Sequence, residues 1–463
     1  MNDLAKIFHD RNRTHVLMIT NHGVHEWEVV PGLPDTGGQN VYVNQFAEAL
    51  IAQGYRVTIL NRGGYPHPVT GELQAGEHYH PSGLARIVYL EDGKSEFVRK
   101  EDMNEQLPAL AKDLQRRLRE QNDSFDIIIS HYWDAGKLGT LINYNGDTSQ
   151  KLAPHVWIPH SLGAIKKRNM DPSTWANLRI DERIDHERQL LRKIDGGVAT
   201  SSTISISFRD DYALEAKYFL PPCVNPERYY PMEPGEFEPT WEFLAQHSSL
   251  SANEIKQRQI ITEVSRTDKT KRKDVLIKAF AQVHQEVPEA LLVVTIDERV
   301  PLYEPLKQLI RDEGVERDVI VLGSCWDQLP GLYNATSVYC TPSVMEGFGM
   351  SAQEAAATGK PVVSSNLVPF VCEYLLGDQS QALQTLDGGS MGYLLGDGGI
   401  VVLADFVEGF VAALTRLLKD DELRTRMGQR ALDITIPYFT WDNRTRDLMD
   451  DLGLKPQRSA SAV

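Results

Sequence analysis

The chain of 463 residues is too long for one ordinary hydrophobic core, and we expect two large domains. Its net charge of −16 opposes general binding to nucleic acid, and its apolar runs are too short to insert in a membrane, where a helix needs roughly 20 apolar residues. The four scattered cysteines suggest neither a zinc site nor a disulfide framework, and the charged N-terminus argues against export, so the cytoplasm is the expected location.

Short β-branched runs alternate with helix-period segments along the whole chain. This pattern is typical of parallel strands joined by crossover helices, so the fold class is α/β. The predicted strands, in chain order, are 14–20, 57–60, 126–130, 156–158, 260–264, 291–295, 319–322, 338–341 and 361–363. Ligands of open α/β sheets bind beyond the carboxyl ends of the strands, and we expect the site in the loops there.

A proline-rich segment, 221–226, separates the two series of strands. The polar stretch 232–257 follows it, and we expect irregular structure and a hinge in this part of the chain. We therefore place an N-terminal domain at 1–225, joined by a C-terminal helix at 440–463, and a second domain at 226–439. The last residues, 455–463, are expected to be frayed.

The loop between the first strand and the first helix carries Asp35, Thr36, Gly37, Gly38 and Gln39. Paired glycines at a helix N-terminus let backbone amides approach an anion. The alternative is a glycine turn in which Asp or Thr caps the helix.

Two cations, Arg266 and Lys271, follow the strand at 260–264. Placed at the carboxyl end of a strand, they can neutralise the diphosphate of a leaving group. The alternative is a solvated basic loop, because Lys269, Arg272 and Lys273 extend the run of charge.

Two glutamates, Glu346 and Glu354, frame the start of a later helix. Amides at that helix start can hold sugar hydroxyls or phosphate, Glu346 can accept from a hexose hydroxyl, and Glu354 can bridge the two ribose hydroxyls. The alternative, a first-turn glutamate favoured by the helix dipole, explains Glu354 alone.

Together these motifs resemble the donor site of family-4 retaining glycosyltransferases. The loop at 35–39, the segment 130–136 and the segment 160–163 followed by Lys166 are similar to the sucrose-phosphate synthase and mannosylfructose-phosphate synthase branch. The resemblance covers about residues 14–454. It implies a GT-B fold, with two Rossmann-like doubly wound domains and an active-site cleft between them.

The resemblance also implies a role for each matching residue. The residues it assigns to catalysis are His160, Arg266, Lys271 and Glu346, and those it assigns to the donor are Gly37, Gly38, Phe348, Gly349, Met350 and Glu354. The acceptor residues are Gln39, Lys94, Tyr132, Asp134, Lys166 and Arg183, with Lys166 and Arg183 on the acceptor's 6-phosphate. The loop at 93–101 aligns ambiguously, so Arg99 or Lys100 could replace Lys94.

Two departures from the family pattern concern the donor side. Arg272 stands where the branch usually has Gly or Asn, and the segment 366–373 replaces a Gly-Gly pair before Glu373 in many relatives. The identity of the donor therefore stays open.

No Asp-x-Asp sequence occurs to hold a metal against a diphosphate, and we expect no essential metal or cofactor beyond the nucleotide-sugar. The resemblance implies hexosyl transfer to fructose 6-phosphate from UDP-glucose, which would give sucrose 6-phosphate. The alternatives are GDP-mannose as donor, an inositol-phosphate acceptor, a nucleotide-sugar epimerase or a sugar-phosphate sensor. The only partner expected beyond small molecules is a separate sugar-phosphate phosphatase acting on the product.

Overall fold

The computed structural model describes residues 3–30, 33–121, 123–144, 151–169, 172–323, 325–386 and 392–458. Contacts divide the chain into two compact units. The first unit runs to Pro221 and resumes at Trp441, and the second comprises Pro222–Thr440. Both units have the α/β architecture that the alternating pattern predicts.

The first unit is built on a sheet of eight strands. These are β1 (His15–Ile19), β2 (Arg56–Arg62), β3 (Glu77–Tyr79), β4 (Ala85–Leu90), β5 (Ile127–His131), β6 (His155–Ile158), β7 (Gly196–Ala199) and β8 (Tyr218–Phe219). Their order is β3-β4-β2-β1-β5-β6-β7-β8, and every pair is parallel except β3 with β4.

Nine helices belong to the described part of the first unit. They are α1 (Asp3–Phe8), α2 (Gly38–Ala52), α3 (Leu107–Gln121), α4 (Tyr132–Asn143), α5 (Gly163–Asn169), α6 (Pro172–Trp175), α7 (Ile180–Leu191), α8 (Ser202–Tyr212) and α17 (Trp441–Asp451). The central strands β1, β2 and β5 are buried along their whole length, as expected when helices cover both faces of a parallel sheet.

The second unit is built on seven strands. These are β9 (Gln259–Glu263), β10 (Ala290–Thr295), β11 (Val319–Leu322), β12 (Val338–Thr341), β13 (Val362–Ser365), β14 (Tyr393–Leu395) and β15 (Gly399–Val402). Their order is β11-β10-β9-β12-β13-β15-β14, with only β14 and β15 antiparallel within the described strands. The helices are α9 (Pro239–Ala245), α10 (Ala252–Lys256), α11 (Lys273–Glu286), α12 (Tyr303–Asp312), α13 (Leu329–Ala335), α14 (Met350–Ala357), α15 (Val407–Lys419) and α16 (Asp421–Thr435).

Strand order places the motif loops at the switch point of each sheet. In the first unit β1 lies between β2 and β5, and in the second unit β9 lies between β10 and β12. Ligands of doubly wound sheets bind beyond the carboxyl ends of the strands at this point. The loops after β1, β5, β9 and β12 carry sequence motifs, and the motif at 160–163 follows β6.

The stretch 232–257 is irregular only in part, and the prediction was wrong for the helices α9 and α10 within it. Pro239 is the first residue of α9, a position where the missing N–H costs nothing. Ser251 caps α10 reciprocally with Glu254. Trp241 and Ile255 are buried in the core of the second unit, so apolar packing holds the segment.

The prediction of a frayed tail was wrong for residues 455–458. Thr14 N donates to Pro456 O at 2.9 Å, and Arg458 forms an ion pair with Asp126 at 2.8 Å. These contacts tie the chain end to the start of β1 and β5. The rest of the predicted tail, 459–463, lies outside the described residues.

Candidate active site

The loop after β1 enters α2 through Gly37. Asp35 accepts a hydrogen bond from Lys100 N at 3.0 Å and forms an ion pair with the Lys100 ammonium group, while the Thr36 hydroxyl is 3.0 Å from Val24 N. The Gly37 N–H donates to Asn40 Oδ1 at 3.0 Å. Neither Asp35 nor Thr36 caps the helix, so the alternative of a capped glycine turn is wrong.

Gly38 and Gln39 form the first turn of α2. Gly38 is exposed, and Gln39 Nε2 donates to Thr20 Oγ1 at 3.2 Å, at the end of β1. Both residues therefore lie at the carboxyl edge of the sheet, where the sequence predicted contacts with donor and acceptor.

Tyr132 is the centre of a cationic cluster in the first unit. Its hydroxyl accepts hydrogen bonds from Arg183 Nη1 and, at 3.2 Å, from Lys166 Nζ. Burial raises the pKa of Tyr132, but the charges of Arg183, Lys166 and Lys100 outweigh this effect and hold the pKa below its usual value. Burial lowers the pKa of Lys166. Three cations therefore act on Tyr132, although Arg183 also pairs with Glu187 and Lys100 with Asp35.

A cavity opens beside this cluster and encloses about 350 Å³, including its open mouth. Its lining residues are Lys100, Glu101, Tyr132, Trp133, Lys166, Leu178, Arg179, Ile180, Glu182, Arg183 and His186. The cations Lys100, Lys166, Arg179 and Arg183 and the carboxylates Glu101 and Glu182 thus all border this space.

Lys94 does not line the cavity. It is exposed, and its backbone oxygen accepts a hydrogen bond from Arg62 Nη2 at 3.3 Å. Of the two alternatives, Arg99 is exposed and pairs with Glu101 at 3.1 Å, whereas Lys100 lines the cavity. Of the three candidate cations only Lys100 therefore lines the cavity, and its contact with the acceptor phosphate stays a prediction.

Asp134 is fully buried and does not line the cavity. His22 Nδ1 lies 3.1 Å from Asp134 Oδ1, so the His22 ring donates to the carboxylate. The His22 ring packs against Tyr132 at 4.7 Å between centroids. Asp134 thus contacts His22, which packs on Tyr132, and its contact with the acceptor stays a prediction.

His160 follows β6 in the left-handed backbone region, with φ of 56°. Its Nε2 is 2.9 Å from His131 Nδ1, and its ring meets the Tyr42 ring edge-on at 4.8 Å. Burial lowers the pKa of His160 to about 3. The imidazole is therefore neutral at pH 7 and fixed in orientation by His131. A strained backbone held by surrounding contacts is typical of functional sites.

In the second unit, the donor motifs after β9 and β12 meet. Lys271 Nζ donates to Glu346 Oε1 at 2.5 Å, and Val344 N donates to Thr270 O at 2.8 Å. Arg266 is on the same loop, with its side chain 81% exposed and 3.9 Å from Asp268. The structure thus joins Lys271 to Glu346 and leaves Arg266 open to solvent.

The basic run at 269–273 is not a solvated loop. Lys273 is buried in an ion pair with Glu263 at the end of β9, and only Lys269 of the run is exposed. Arg272 has φ of 49°, a left-handed conformation that Gly and Asn adopt most easily. The family's preference for Gly or Asn there has this physical reason, and in this chain Arg272 is held by Asp274 and Asp405.

Glu354 lies inside the first turns of α14 and is only 8% exposed. It accepts a hydrogen bond from the Tyr333 hydroxyl at 3.0 Å. Burial raises the pKa of Glu354 to about 7, although Tyr333 and the Arg228 charge act in the opposite direction. Its protonation therefore changes near neutral pH.

Gly349 caps α14, which begins at Met350, with φ of 108°. A Cβ placed there would lie 2.6 Å from Val368 Cγ1, so both conformation and space require glycine. Phe348 is buried, and its backbone oxygen accepts from Phe370 N at 2.8 Å. The departing segment 366–373 thus packs directly on the donor motif.

The sequence interpretation missed Glu187 and His22, which hold site residues in place. Arg183 and Glu187 are four residues apart on α7, a spacing that pairs charges on one helix face and could have revealed Glu187. No comparable local signal marks His22, whose partner is 112 residues away.

Comparison with known protein families agrees with these motifs. The model described as Glycosyltransferase Family 4 matches residues 36–228, and the model described as Glycosyl transferases group 1 matches residues 248–433. The chain is a glycosyltransferase, with its N-terminal half similar to Family 4 and its C-terminal half to group 1. The predicted class of enzyme, a retaining glycosyltransferase, is confirmed.

The glycosyltransferase is similar to two kinds of curated relative. A mannosylfructose-phosphate synthase of Agrobacterium fabrum is 28% identical over 364 residues, covering 75% of each chain. A D-inositol 3-phosphate glycosyltransferase of Corynebacterium aurimucosum is 27% identical over 422 residues, covering 89% of each chain. The chain is thus similar to glycosyltransferases of both kinds, and the matches extend over 75% or more of each relative.

Solved structures confirm the predicted GT-B fold. A sucrose-phosphate synthase from Thermosynechococcus elongatus superposes with a TM-score of 0.73 at 22% identity, covering 95% of this chain and 98% of that one. HepE of Anabaena, in complex with UDP and glucose, has a TM-score of 0.66 at 15% identity, covering 95% and 99%. Among the helices in the described ranges, none is long and apolar enough to cross a membrane.

Proposed function

We propose that this glycosyltransferase moves glucose from UDP-glucose to fructose 6-phosphate and forms sucrose 6-phosphate. The observation that carries the proposal is that Lys166 and Arg183 meet at the Tyr132 hydroxyl while Lys100 lines the same cavity. Three cations converging on one cavity suit a phosphate better than a neutral sugar, because each forms a charge-assisted hydrogen bond with an oxyanion.

GDP-mannose is the second candidate donor. The mannosylfructose-phosphate synthase relative supports it, and so does the departing segment that packs on Phe348 and Gly349. An inositol-phosphate acceptor is the alternative supported by the relatives of Corynebacterium. All of these reactions would use the same phosphate-binding cluster.

On the donor side, residues of the second unit would supply positive charge where the reaction develops negative charge. As the bond from the anomeric carbon to the β-phosphate oxygen breaks, negative charge develops on the diphosphate. Arg266 and Lys271 would stabilise this charge, and their ammonium and guanidinium groups take the role of a metal ion. Glu354 would accept from the ribose hydroxyls.

For the acceptor, the cluster would hold the 6-phosphate, and Gln39 would contact the sugar. The departing β-phosphate oxygen takes the proton of the acceptor hydroxyl as the new glycosidic bond forms on the same face, so the anomeric configuration is retained. His160 has a pKa of about 3 and is therefore a weak base. This supports a role for His160 in orienting the donor hexose rather than in removing a proton. The products are a nucleoside diphosphate and a disaccharide phosphate.

The product keeps the phosphate ester of its acceptor. A phosphomonoesterase is therefore the class of enzyme that would consume it, as the sequence interpretation expects of a separate phosphatase.

A matrix of donors and acceptors tests the proposal. UDP-glucose and GDP-mannose are each offered fructose 6-phosphate, free fructose and D-inositol 3-phosphate, and the products are separated and identified by mass. We expect sucrose 6-phosphate from UDP-glucose with fructose 6-phosphate. If mannosylfructose phosphate were the only product, the donor would be GDP-mannose instead of UDP-glucose. If transfer occurred only to inositol phosphate, the acceptor would be inositol phosphate instead of fructose 6-phosphate.

A further inference from the structure

We propose that Glu187 is the positioning residue of the phosphate-binding cluster, which sets the distance between Lys166 and Arg183. The inference deepens the proposed function and rests on its acceptor phosphate. Glu187 does not line the cavity, and no sequence motif includes it.

Glu187 is fully buried and accepts hydrogen bonds from three helices. Arg183 Nε on α7 donates to Oε1 at 2.8 Å, and Gly163 N at the start of α5 donates to Oε2 at 3.0 Å. The Tyr212 hydroxyl of α8 donates to Oε2 as well. A buried carboxylate with this set of donors holds each of them in a defined place.

The two helices α5 and α7, which are both hydrogen-bonded to Glu187, also carry the cations Lys166 and Arg183. Lys166 is three residues after Gly163, one turn along α5, and Arg183 is one turn before Glu187 on α7. Helices α5 and α7 also approach closely, because a Cβ at Gly163 would lie 2.8 Å from Ile184 Cγ1 and 3.1 Å from Glu187 Oε2. Glu187 therefore fixes α5 against α7, and with them the span between the two cations.

Glu187 also orients the guanidinium plane of Arg183. With Nε bound to Glu187, the two Nη atoms point to the Tyr132 hydroxyl and to Ser161 O, at the cavity. Without this bond the side chain would be free to rotate about its last torsions. The planar fork of Arg binds an oxyanion well only when its direction is set.

Positioning and plain electrostatics predict opposite effects for this carboxylate. A negative charge beside the cluster lowers its positive potential, so its removal should strengthen phosphate binding if charge were its only effect. If Glu187 positions the cations, its removal should weaken phosphate binding. The sign of the change decides between the two roles.

Glu182 is the matched control. It lies on the same helix, lines the cavity, and has a side chain that is 44% exposed and 3.9 Å from Arg179. Glu182→Gln removes one negative charge near the cavity without touching the bonds among α5, α7 and α8.

The experiment measures binding of inorganic phosphate by calorimetry, and the Michaelis constants for both substrates, in the full chain and in Glu187→Gln and Glu182→Gln. For Glu187→Gln we expect phosphate binding and the Michaelis constant for fructose 6-phosphate to worsen roughly 10- to 100-fold, the range for loss of a hydrogen bond to a charged group. The Michaelis constant for the donor should stay unchanged. For Glu182→Gln we expect equal or tighter phosphate binding.

Tyr212→Phe provides a second, milder variant. It removes one donor to Glu187 and the acceptor of Ala164 N but keeps the carboxylate, so it should weaken phosphate binding in the same direction by a smaller factor in a chain that still folds. If Glu187→Gln fails to fold, the outcome for Tyr212→Phe decides the proposal.

Unchanged or tighter phosphate binding in the folded Glu187→Gln variant would overturn the inference, as would an equal rise in the Michaelis constants of both substrates. Failure of the proposed function looks different. The wild-type chain would then bind phosphate, and Glu187→Gln would weaken that binding, but no sugar would be transferred to fructose 6-phosphate.

Discussion

The ammonium group of Lys271 lies 2.5 Å from the carboxylate of Glu346, and both side chains are largely buried. The sequence assigns Lys271 to the diphosphate and Glu346 to the hexose, and in the fold each neutralises the other. A diphosphate bound to Lys271 must share this cation with Glu346. Arg266, which is exposed and only loosely paired, therefore carries the less compensated charge of the donor loop.

Replacing Arg266 or Lys271 with Ala should lower turnover roughly 100-fold, because the removed charge stabilises the diphosphate as the glycosidic bond breaks. The Michaelis constant for the acceptor should change little. Steady-state kinetics with both substrates varied provide the measurement. Lys269→Ala, an exposed cation of the same loop, is the control, and near-normal turnover in both Arg266→Ala and Lys271→Ala would contradict the donor-site assignment.

The affinity for the donor nucleotide should rise as the pH increases from 6 to 8. Burial raises the pKa of Glu354 to about 7, and only the carboxylate can accept from both ribose hydroxyls. Calorimetric titration with UDP across this range provides the measurement. In Glu354→Gln the pH dependence should disappear, and its persistence there would assign it to another group.

The same carboxyl should also affect stability. Because its pKa in the folded chain lies above the ordinary value of 4.5, the folded state binds more protons than the unfolded state between about pH 4.5 and 7. The contribution of Glu354 to the free energy of unfolding should therefore fall as the pH rises through this window. Denaturant unfolding of the wild type and of Glu354→Gln at pH 5 and 8 should show a smaller decrease in the variant.

Lys166→Met and Lys100→Met should raise the Michaelis constant for fructose 6-phosphate steeply. Both cations line the cavity at the Tyr132 cluster, and each loses a charge-assisted bond to the phosphate. Any activity with free fructose should stay nearly unchanged, since the phosphate is the only part of the acceptor that these cations are proposed to contact. Equal losses with both acceptors would indicate a structural role instead, and Lys94→Met is the matched exposed control.

Arg183→Ala should lower the free energy of unfolding by roughly 3 kcal/mol, because it leaves the buried Glu187 carboxylate without its cation. Chemical denaturation provides the measurement. Arg183→Lys keeps the charge and should recover part of this loss without restoring the forked contact. A fully stable Arg183→Ala variant would show that Glu187 is satisfied by Gly163 and Tyr212 alone.

Exhaustive chelation should leave activity intact, because Arg266, Lys271 and the start of α14 take the place of a metal ion at the diphosphate. Within the described ranges there is no group of three or more His, Cys, Asp or Glu side chains that could hold a metal ion. Initial rates in EDTA, with and without added magnesium, check this. A complete loss that magnesium restores would contradict the mechanism.

The α/β fold and the donor motifs could be predicted from the sequence because their signals are local. The β-branched runs of β1, β5, β9 and β12 and the glycines at the start of α2 and α14 act through backbone conformation over a few residues. Order along the chain then placed these motifs at the carboxyl ends of strands. The helices α9 and α10 were missed because prolines and polar residues dominate the sequence around them. Their few apolar residues become buried only in the folded unit.

Which side chains meet in the site was decided only by tertiary structure. Lys100 and Asp35 are 65 residues apart, and Lys271 and Glu346 are 75 residues apart. His22 meets Asp134 across 112 residues. Such pairs depend on the register of neighbouring parallel strands and on helix packing, which no local pattern encodes. For the same reason the sequence could not distinguish Lys94 from Lys100, since six residues of one loop separate a solvent-exposed cation from one that faces the cavity.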